Sequence, residues 1–174
     1  MWIDDTPNLP IEYILLNSPK LDRIRVVNIT WDVSSEDSLK TIFNKLKKCS
    51  GLDANGNTSE KAVLTGYINI DSISDEFLEE LNDYFKELVI VVNGKAKFFI
   101  RYLNKDNSLL YRYAASIGDN AIDPIAEGFI DTPVYIDESK KDTTHYIYRE
   151  WSNLPTNIQG PYNVIALYDA EYRV

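Results

Sequence analysis

In the first half of the chain, hydrophobic and polar residues alternate with a period of two and then change to the period of a helix, twice over. Apolar side chains occupy every second position from Val27 to Val33, which is typical of a strand with one buried face. The same alternation holds from Leu64 to Ile70, with Gly66 at one inward position. Each alternation is followed by an apolar stripe of helical spacing, so the pattern predicts two strand–helix units. The stripes are Leu39, Ile42, Phe43, Leu46 and Cys49, and then Phe77, Leu78, Leu81, Tyr84, Phe85 and Leu88.

The two units are copies of one pattern. Ile29 corresponds to Ile68, an offset of 39 residues, and the serines before the two helices correspond in the same way, Ser35 to Ser74. A serine at this position accepts a hydrogen bond from a backbone N–H of the first helical turn, and the acidic residues that follow favour the positive end of the helix dipole. Gly51 is predicted to cap the end of the first helix.

The repeat ends in a third apolar strand, Leu88–Val92. Two strand–helix units and a further strand predict parallel strands with right-handed crossovers, stacked so that each unit covers its neighbour. The turn signal Asn93-Gly94 marks the boundary between a strand–helix repeat domain, 1–94, and a β-rich domain, 95–174. The expected fold class is therefore α+β. In the second domain the strand-like runs are Ala96–Tyr102, Leu109–Tyr113, Val134–Ile136, Tyr146–Trp151 and Val164–Tyr168.

Composition narrows the function classes. The 174 residues include 27 acidic and 18 basic side chains, a net charge of −9, which repels phosphate backbones and argues against a nucleic-acid partner. Apolar runs such as Leu88–Val92 are too short to cross a membrane, and Tyr13–Leu16 is too short for a secretory leader. One Cys and one His exclude a disulfide framework and a Cys/His zinc site. Because Val174 follows soon after a strand, we expect a piece of a longer protein, or a subunit secreted or assembled without a leader. The alternative is a small complete cytoplasmic protein.

One segment resembles the start of a calcium loop. Asp53-Ala-Asn55-Gly-Asn57 supplies oxygen ligands at alternate positions. An EF-hand loop also needs Gly at its sixth position and Glu at its twelfth, and these positions hold Thr58 and Leu64. The favoured interpretation is a solvated turn between the first helix and the second strand.

No other segment carries a reactive motif. His145 has no second histidine and no G-x-S-x-G element to work with, so an exposed histidine near a strand end is expected. Cys49 falls on an apolar stripe and is expected to be a buried, inert thiol. The three glycines Gly51, Gly56 and Gly66 lack the spacing of a phosphate-binding loop. Many acids lie on the predicted solvent face of the second helix, namely Glu79, Glu80, Asp83 and Glu87. We therefore expect no enzyme and assign no catalytic, cofactor-binding or metal-ligating residue.

The three tryptophans are interpreted as structural. Trp31 is in register with buried Ile29, so it is expected in a core. Trp151 is also expected in a core, because it belongs to the core motif of the family that the second half resembles, described below. Trp2 has no core assignment. It either packs on a neighbouring subunit or covers the first strand.

The strand before the first helix resembles a leucine-rich repeat. Leu21-x-x-Ile24-x-Val26 has the L-x-x-L-x-L spacing, although Ile29 stands where Asn or Cys is usual. The resemblance implies irregular, leucine-rich-repeat-like units with a partly parallel sheet in the first domain.

The second half resembles the internalin-type B-repeat over residues 95–174. The residues concerned are Phe98-x-Ile100-x-Tyr102, Tyr146-x-Tyr148-x-Glu150-Trp151 and Val164-x-Ala166-x-Tyr168, where Glu150 replaces the usual glycine. This resemblance implies a small β-rich module of β-grasp or immunoglobulin-like type.

The combination of both parts resembles minor structural proteins of tailed bacteriophages. It implies a non-catalytic structural or attachment module of a virion, in a tail, fibre or baseplate. Its partners would be other virion subunits, copies of itself or a host-surface receptor. Two alternatives stay open: a bacterial cell-surface adhesin module, and a hydrolase of surface polysaccharide. The sequence leaves the receptor, the symmetry of any oligomer and the host undetermined.

Overall fold

The structure is a computed structural model that describes residues 1–4 and 10–172. The residues Arg173 and Val174, on which the expectation of a longer protein was based, lie outside the described residues. Within this part of the chain the fold is mixed α/β, with three helices and ten strands. The helices are α1 (Ile11–Leu16), α2 (Glu36–Leu46) and α3 (Asp75–Tyr84). The strands are β1 (Trp2–Asp4), β2 (Arg23–Asp32), β3 (Ser50–Leu52), β4 (Thr58–Ser59), β5 (Val63–Ile70), β6 (Leu88–Val92), β7 (Lys95–Leu103), β8 (Leu109–Ser116), β9 (Thr144–Trp151) and β10 (Tyr162–Tyr172).

The chain divides into two compact units, Met1–Lys97 and Phe98–Val174. Each unit is described by itself below. The boundary predicted after residue 94 falls at the turn between β6 and β7, where Asn93 and Gly94 have positive φ values of 50° and 84°. The division of the structure lies within β7, three residues beyond that turn.

The first unit is built on parallel strands. β2 pairs with β5 and β5 with β6, both in parallel, and Trp31, Ile68 and Ile90 lie side by side across the three strands. α2 separates the first two strands along the chain and α3 the next two. The predicted parallel pairing is therefore confirmed. Four elements were not anticipated: α1, the edge strand β1, and the two short strands β3 and β4 inserted between α2 and β5.

The alternation in β2 is interrupted by a β-bulge. Val26 lies opposite Leu64 and Ile29 lies opposite Gly66, so β2 uses one more residue than β5 over this interval. The extra residue allows Asn28 to adopt a φ of 54°. A Cβ on Gly66 would lie 2.1 Å from the carbonyl oxygen of Ile29, and φ there is +117°. Glycine is thus required where the two backbones approach each other.

Both predicted helix caps are present. The Oγ of Ser35 accepts a hydrogen bond from the backbone N–H of Ser38 at 3.1 Å, and the Oγ of Ser74 accepts one from the N–H of Phe77 at 3.3 Å. Acidic residues occupy the first turn of each helix. The repeated serine therefore marks the helix start in both copies, as predicted.

The prediction that Gly51 caps α2 is wrong. The helix ends at Leu46 with Lys47 as its C-cap, and Gly51 lies in β3. A Cβ on Gly51 would lie 1.9 Å from the carbonyl oxygen of Lys61. A glycine is therefore needed at position 51 because the backbone at Lys61 approaches it closely, and not because the chain makes a left-handed turn there.

Both predicted apolar stripes pack into the core of the first unit, with Tyr84 half-buried at its margin. The ring of Phe43 on α2 makes edge contacts with Phe77, Tyr84 and Phe85, at centroid distances of 5.9, 5.3 and 5.9 Å. Such contacts add to the hydrophobic burial of the rings and fix how α2 packs against α3.

The second unit is β-rich. β10 pairs with β7 in parallel and with β9 in antiparallel fashion, and β8 pairs with β7. The core consists of Ile100, Tyr102, Ala115, Trp151, Ile158, Val164 and Ala166. The predicted strand at Val134–Ile136 is wrong, because this segment has no strand pairing. Pro133 before it lacks an N–H for a sheet ladder, and the carbonyl of Val134 binds a side chain instead.

No helix in the described ranges is long and apolar enough to span a bilayer.

Candidate interaction surface

The two residues with reactive side chains that the sequence singled out lie far apart along the chain and in different units. Cys49 is buried, and its thiol donates to the carbonyl oxygen of Lys45 at 3.3 Å. Burial raises the pKa of the Cys49 thiol, which disfavours the reactive thiolate. The expected buried thiol is confirmed, although Cys49 lies past the last residue of α2. His145 is exposed and is the second residue of β9, as expected for a histidine near a strand end.

The segment that resembled a calcium loop forms a self-contained turn. Oδ1 of Asp53 accepts hydrogen bonds from the N–H groups of Asn55 and Asn57, both at 2.9 Å. These donors lower the pKa of the Asp53 carboxyl group. The turn joins β3 to β4, and the prediction had placed it directly between α2 and β5. Across the described ranges, no group of three or more His, Cys, Asp or Glu side chains is arranged to hold a metal ion.

Two tryptophans lie in the cores, as predicted. Trp31 and Trp151 are 3% and 7% exposed, and the indole N–H of Trp151 donates to Oδ1 of Asp123 at 3.1 Å. Trp2 is half-exposed on β1, where the guanidinium group of Arg25 lies 5.2 Å from the ring centroid.

The acids predicted on the solvent face of the second repeat helix, which is α3, are largely exposed. Glu80 and Asp83 on α3 and Glu87 beyond its end are exposed, whereas Glu79 is partly buried. A small cavity of about 350 Å³ lies at the carboxyl ends of β2, β5 and β6, and Asp32 and Asn69 contribute to its lining. The amide of Asn69 donates to Oδ1 of Asp32 at 2.8 Å, so these side chains satisfy each other.

The second unit contains an apolar groove, which we call the β9 groove. Its two walls are the segment Thr132–Ile136 and the first five residues of β9, Thr144–Tyr148, and its volume is about 620 Å³. Glu138 and Lys141 complete the lining and pair with each other at 3.5 Å. Three large apolar side chains here face solvent: Val134 is 72% exposed, Ile136 59% and Ile147 43%.

Aromatic contacts hold the walls of the β9 groove together. The ring of Tyr135 lies 5.3 Å from that of Tyr146 and 6.0 Å from that of Tyr168. The ammonium group of Lys105 lies 5.2 Å from the centroid of Tyr146. Burial raises the pKa of Tyr148 to about 12, so this phenol stays protonated at neutral pH.

A buried asparagine positions the irregular wall. Asn104 is 7% exposed, and its amide donates to the carbonyl oxygen of Val134 at 3.0 Å. Its side-chain oxygen accepts hydrogen bonds from the hydroxyl of Tyr168 and from the N–H of Lys105. Because both the amide N–H and the side-chain oxygen of this buried asparagine are hydrogen-bonded, it holds the segment Thr132–Ile136 in place, as the hydrogen bonds of a sheet would hold a strand.

Sequence reasoning missed this groove. The polar run that begins at Asn104 was interpreted only as a hairpin turn, and Val134–Ile136 as a strand. The available signal was Pro133 directly before the apolar run, because proline has no N–H to donate to a sheet ladder.

Comparison with protein-family models, with curated proteins and with solved structures gives no match to this chain.

Proposed function

We propose that this chain is a non-catalytic structural or attachment module of a tailed-phage virion, in a tail, fibre or baseplate, which works through protein–protein contacts. Its partners are other virion subunits or copies of itself. The proposal includes the finer identity of the two parts: leucine-rich-repeat-like units in the first, and a B-repeat-like module in the second.

The contacts between consecutive helices support the repeat-like part of the proposal. Oε1 of Glu12, on α1, accepts a hydrogen bond from the hydroxyl of Ser34 at 2.7 Å, just before α2. Oε1 of Glu36, on α2, accepts one from the hydroxyl of Ser74 at 2.7 Å, just before α3. In both cases a glutamate on one helix bonds a serine at the start of the next, although Ser74 is itself the cap of α3 and Ser34 precedes the cap of α2. Contacts between neighbouring units of this kind are expected in repeat proteins.

The single observation that carries the contact function is the β9 groove. Scattered exposed apolar residues are normal on protein surfaces, but here Val134, Ile136 and Ile147 line one groove. Large contiguous apolar patches with polar borders mark sites where other molecules bind, and we infer that this groove is such a site. The paired charges of Glu138 and Lys141 at the rim leave an apolar centre with a polar border, which is the anatomy of a protein interface.

The test is to express the tagged chain together with the products of the reading frames beside its gene and to measure the mass of what co-purifies by light scattering. A virion role predicts a complex of defined stoichiometry, with the chain as a trimer or hexamer or bound to a neighbouring tail or portal product. Val134→Glu should weaken that complex. Leu109→Glu is the matched control, since Leu109 is 51% exposed in the same unit but lies outside the groove.

A chain that stays monomeric in this experiment, and whose gene encodes a secretory leader and a wall anchor, refutes the virion role. That outcome favours the cell-surface adhesin.

A further inference from the structure

We propose that the outer edge of β9 binds an extended polypeptide segment of the partner, which adds to the sheet as a further strand and places alternate side chains in the β9 groove. This inference rests on the proposed contact function and names the kind of segment that the site recognises.

The backbone of β9 offers the necessary donors and acceptors. β9 is the last strand in the hydrogen-bonded order, and among the described residues only β10 pairs with it. A strand directs alternate N–H and C=O groups to its two sides, so pairing on one side leaves a row on the other. An extended peptide can form hydrogen bonds with these outward N–H and C=O groups along its whole length, which a folded protein surface does not do.

The first part of β9 lacks three of the features with which proteins protect such edges. Leu167 lies opposite Glu150 and Tyr168 lies opposite Tyr148, so a bulge at Arg149 interrupts only the far end of the strand. The stretch Thr144–Tyr148 contains no proline, no lysine and no bulge. Lysine, proline and bulges are among the devices that keep other strands away.

The groove runs along the same stretch of backbone. One wall is Thr144–Tyr148 itself, and the other is the segment Thr132–Ile136, which Asn104 holds in place. A volume of about 620 Å³ accommodates side chains of an added strand. Because Val134 and Ile136 are apolar and the rim charges are paired, the segment should carry apolar side chains at alternate positions and need no net charge.

The experiment titrates the ¹⁵N-labelled chain with a blocked heptapeptide that alternates Thr and Val. We expect saturable amide shifts that cluster at residues 132–136 and 144–148. Two N-methylated versions of the probe block either one edge of the peptide or the other. Strand addition uses a single peptide edge, so one version should bind about tenfold more weakly or worse, and the other within about twofold of the parent.

Ile147→Lys should weaken binding of the parent peptide by roughly three- to fivefold. Ile117→Lys is the matched control, because Ile117 is 42% exposed in the same unit, against 43% for Ile147, but lies outside the groove. The methylated probes keep the test valid on the unaltered chain if a variant fails to fold.

Strand addition is overturned if millimolar peptide causes no amide shifts at residues 144–148. It is also overturned if both N-methylated probes lose the same amount of binding affinity. If the co-purified assembly still forms in that case, the proposed function stands and only the strand mode is wrong. Edge-specific peptide binding without any assembly supports strand addition and counts against the virion role.

Discussion

The link between Glu36 and Ser74 makes the first unit testable in energetic terms. Oε1 of Glu36 accepts hydrogen bonds from the hydroxyl of Ser74 at 2.7 Å and from its N–H at 3.0 Å. Ser74 also caps α3 by accepting from the N–H of Phe77. We predict that Glu36→Gln destabilises the first unit and that the loss depends on Ser74.

The magnitude follows from the geometry. A hydrogen bond to a charged group contributes about 1.5–3 kcal/mol. Gln keeps an accepting oxygen but loses the charge, and the side chain of Glu36 is 28% exposed, so we expect Glu36→Gln to lower the free energy of unfolding by about 1–2 kcal/mol. Ser74→Ala should cost about 1–2 kcal/mol, because it removes the cap as well as the hydroxyl donor. The double variant should show a coupling of about 1 kcal/mol, which isolates the hydroxyl–carboxylate bond.

The effect should depend on pH in one direction. The hydroxyl and N–H donors of Ser74 lower the pKa of Glu36 from its ordinary value of 4.5. A carboxyl group with a lowered folded-state pKa contributes stability that is present above the unfolded-state pKa and is lost as pH falls through the folded-state pKa. The stability difference between the parent chain and Glu36→Gln should therefore be constant at neutral pH and shrink below about pH 4.5.

Urea unfolding followed by helical circular dichroism measures this free energy, because all the described helices lie in the first unit. Asp37→Asn is the control: Asp37 is also in the first turn of α2 but is exposed and makes no contact with Ser74. Equal losses for Glu36→Gln and Asp37→Asn would show that only the helix dipole matters. That result, or a coupling indistinguishable from zero, would refute the reasoning.

Three further predictions follow from close contacts and burial. Gly66→Ala should destabilise the first unit by roughly 3 kcal/mol, because its Cβ would clash with Ile29. Gly94 also has a positive φ, but its Cβ would meet open space, so Gly94→Ala should destabilise the protein by only about 1 kcal/mol. Urea unfolding of both variants measures the difference. Cys49, buried and with a raised pKa, should react with a thiol reagent only as fast as the first unit opens, and a native-state rate equal to that of the unfolded chain would contradict its burial. Asn104→Ala should lower the free energy of unfolding of the second unit by about 1–3 kcal/mol. It should also abolish the amide shifts that the Thr/Val peptide induces at residues 132–136. Unchanged shifts in that titration would show that the segment 132–136 keeps its position without the hydrogen bond from Asn104.

Much of the first unit followed from local pattern. The strand and helix periods, the capping serines Ser35 and Ser74 and both apolar stripes depend on residues within a few positions of one another. Such features are readable because a period and a cap are set by local backbone geometry. The error at Gly51 has the opposite origin. A glycine is needed there because the backbone carbonyl of Lys61 approaches it closely, and the local pattern around α2 does not reveal that contact.

In the second unit the sequence determined which strands are aromatic, and the burial of Trp151 was expected only from the family resemblance. The tertiary structure decided where the candidate site lies. Asn104 joins Val134, 30 residues away, to Tyr168, 64 residues away, and so turns an apparent strand into the wall of a groove. The bulge in β2 was likewise decided by the approach of Gly66 to Ile29. Contacts between distant residues leave no period in the chain. The sequence by itself therefore determined the repeated strands and helices of the first unit and their buried faces, and only the folded backbone decided which surface is left for a partner.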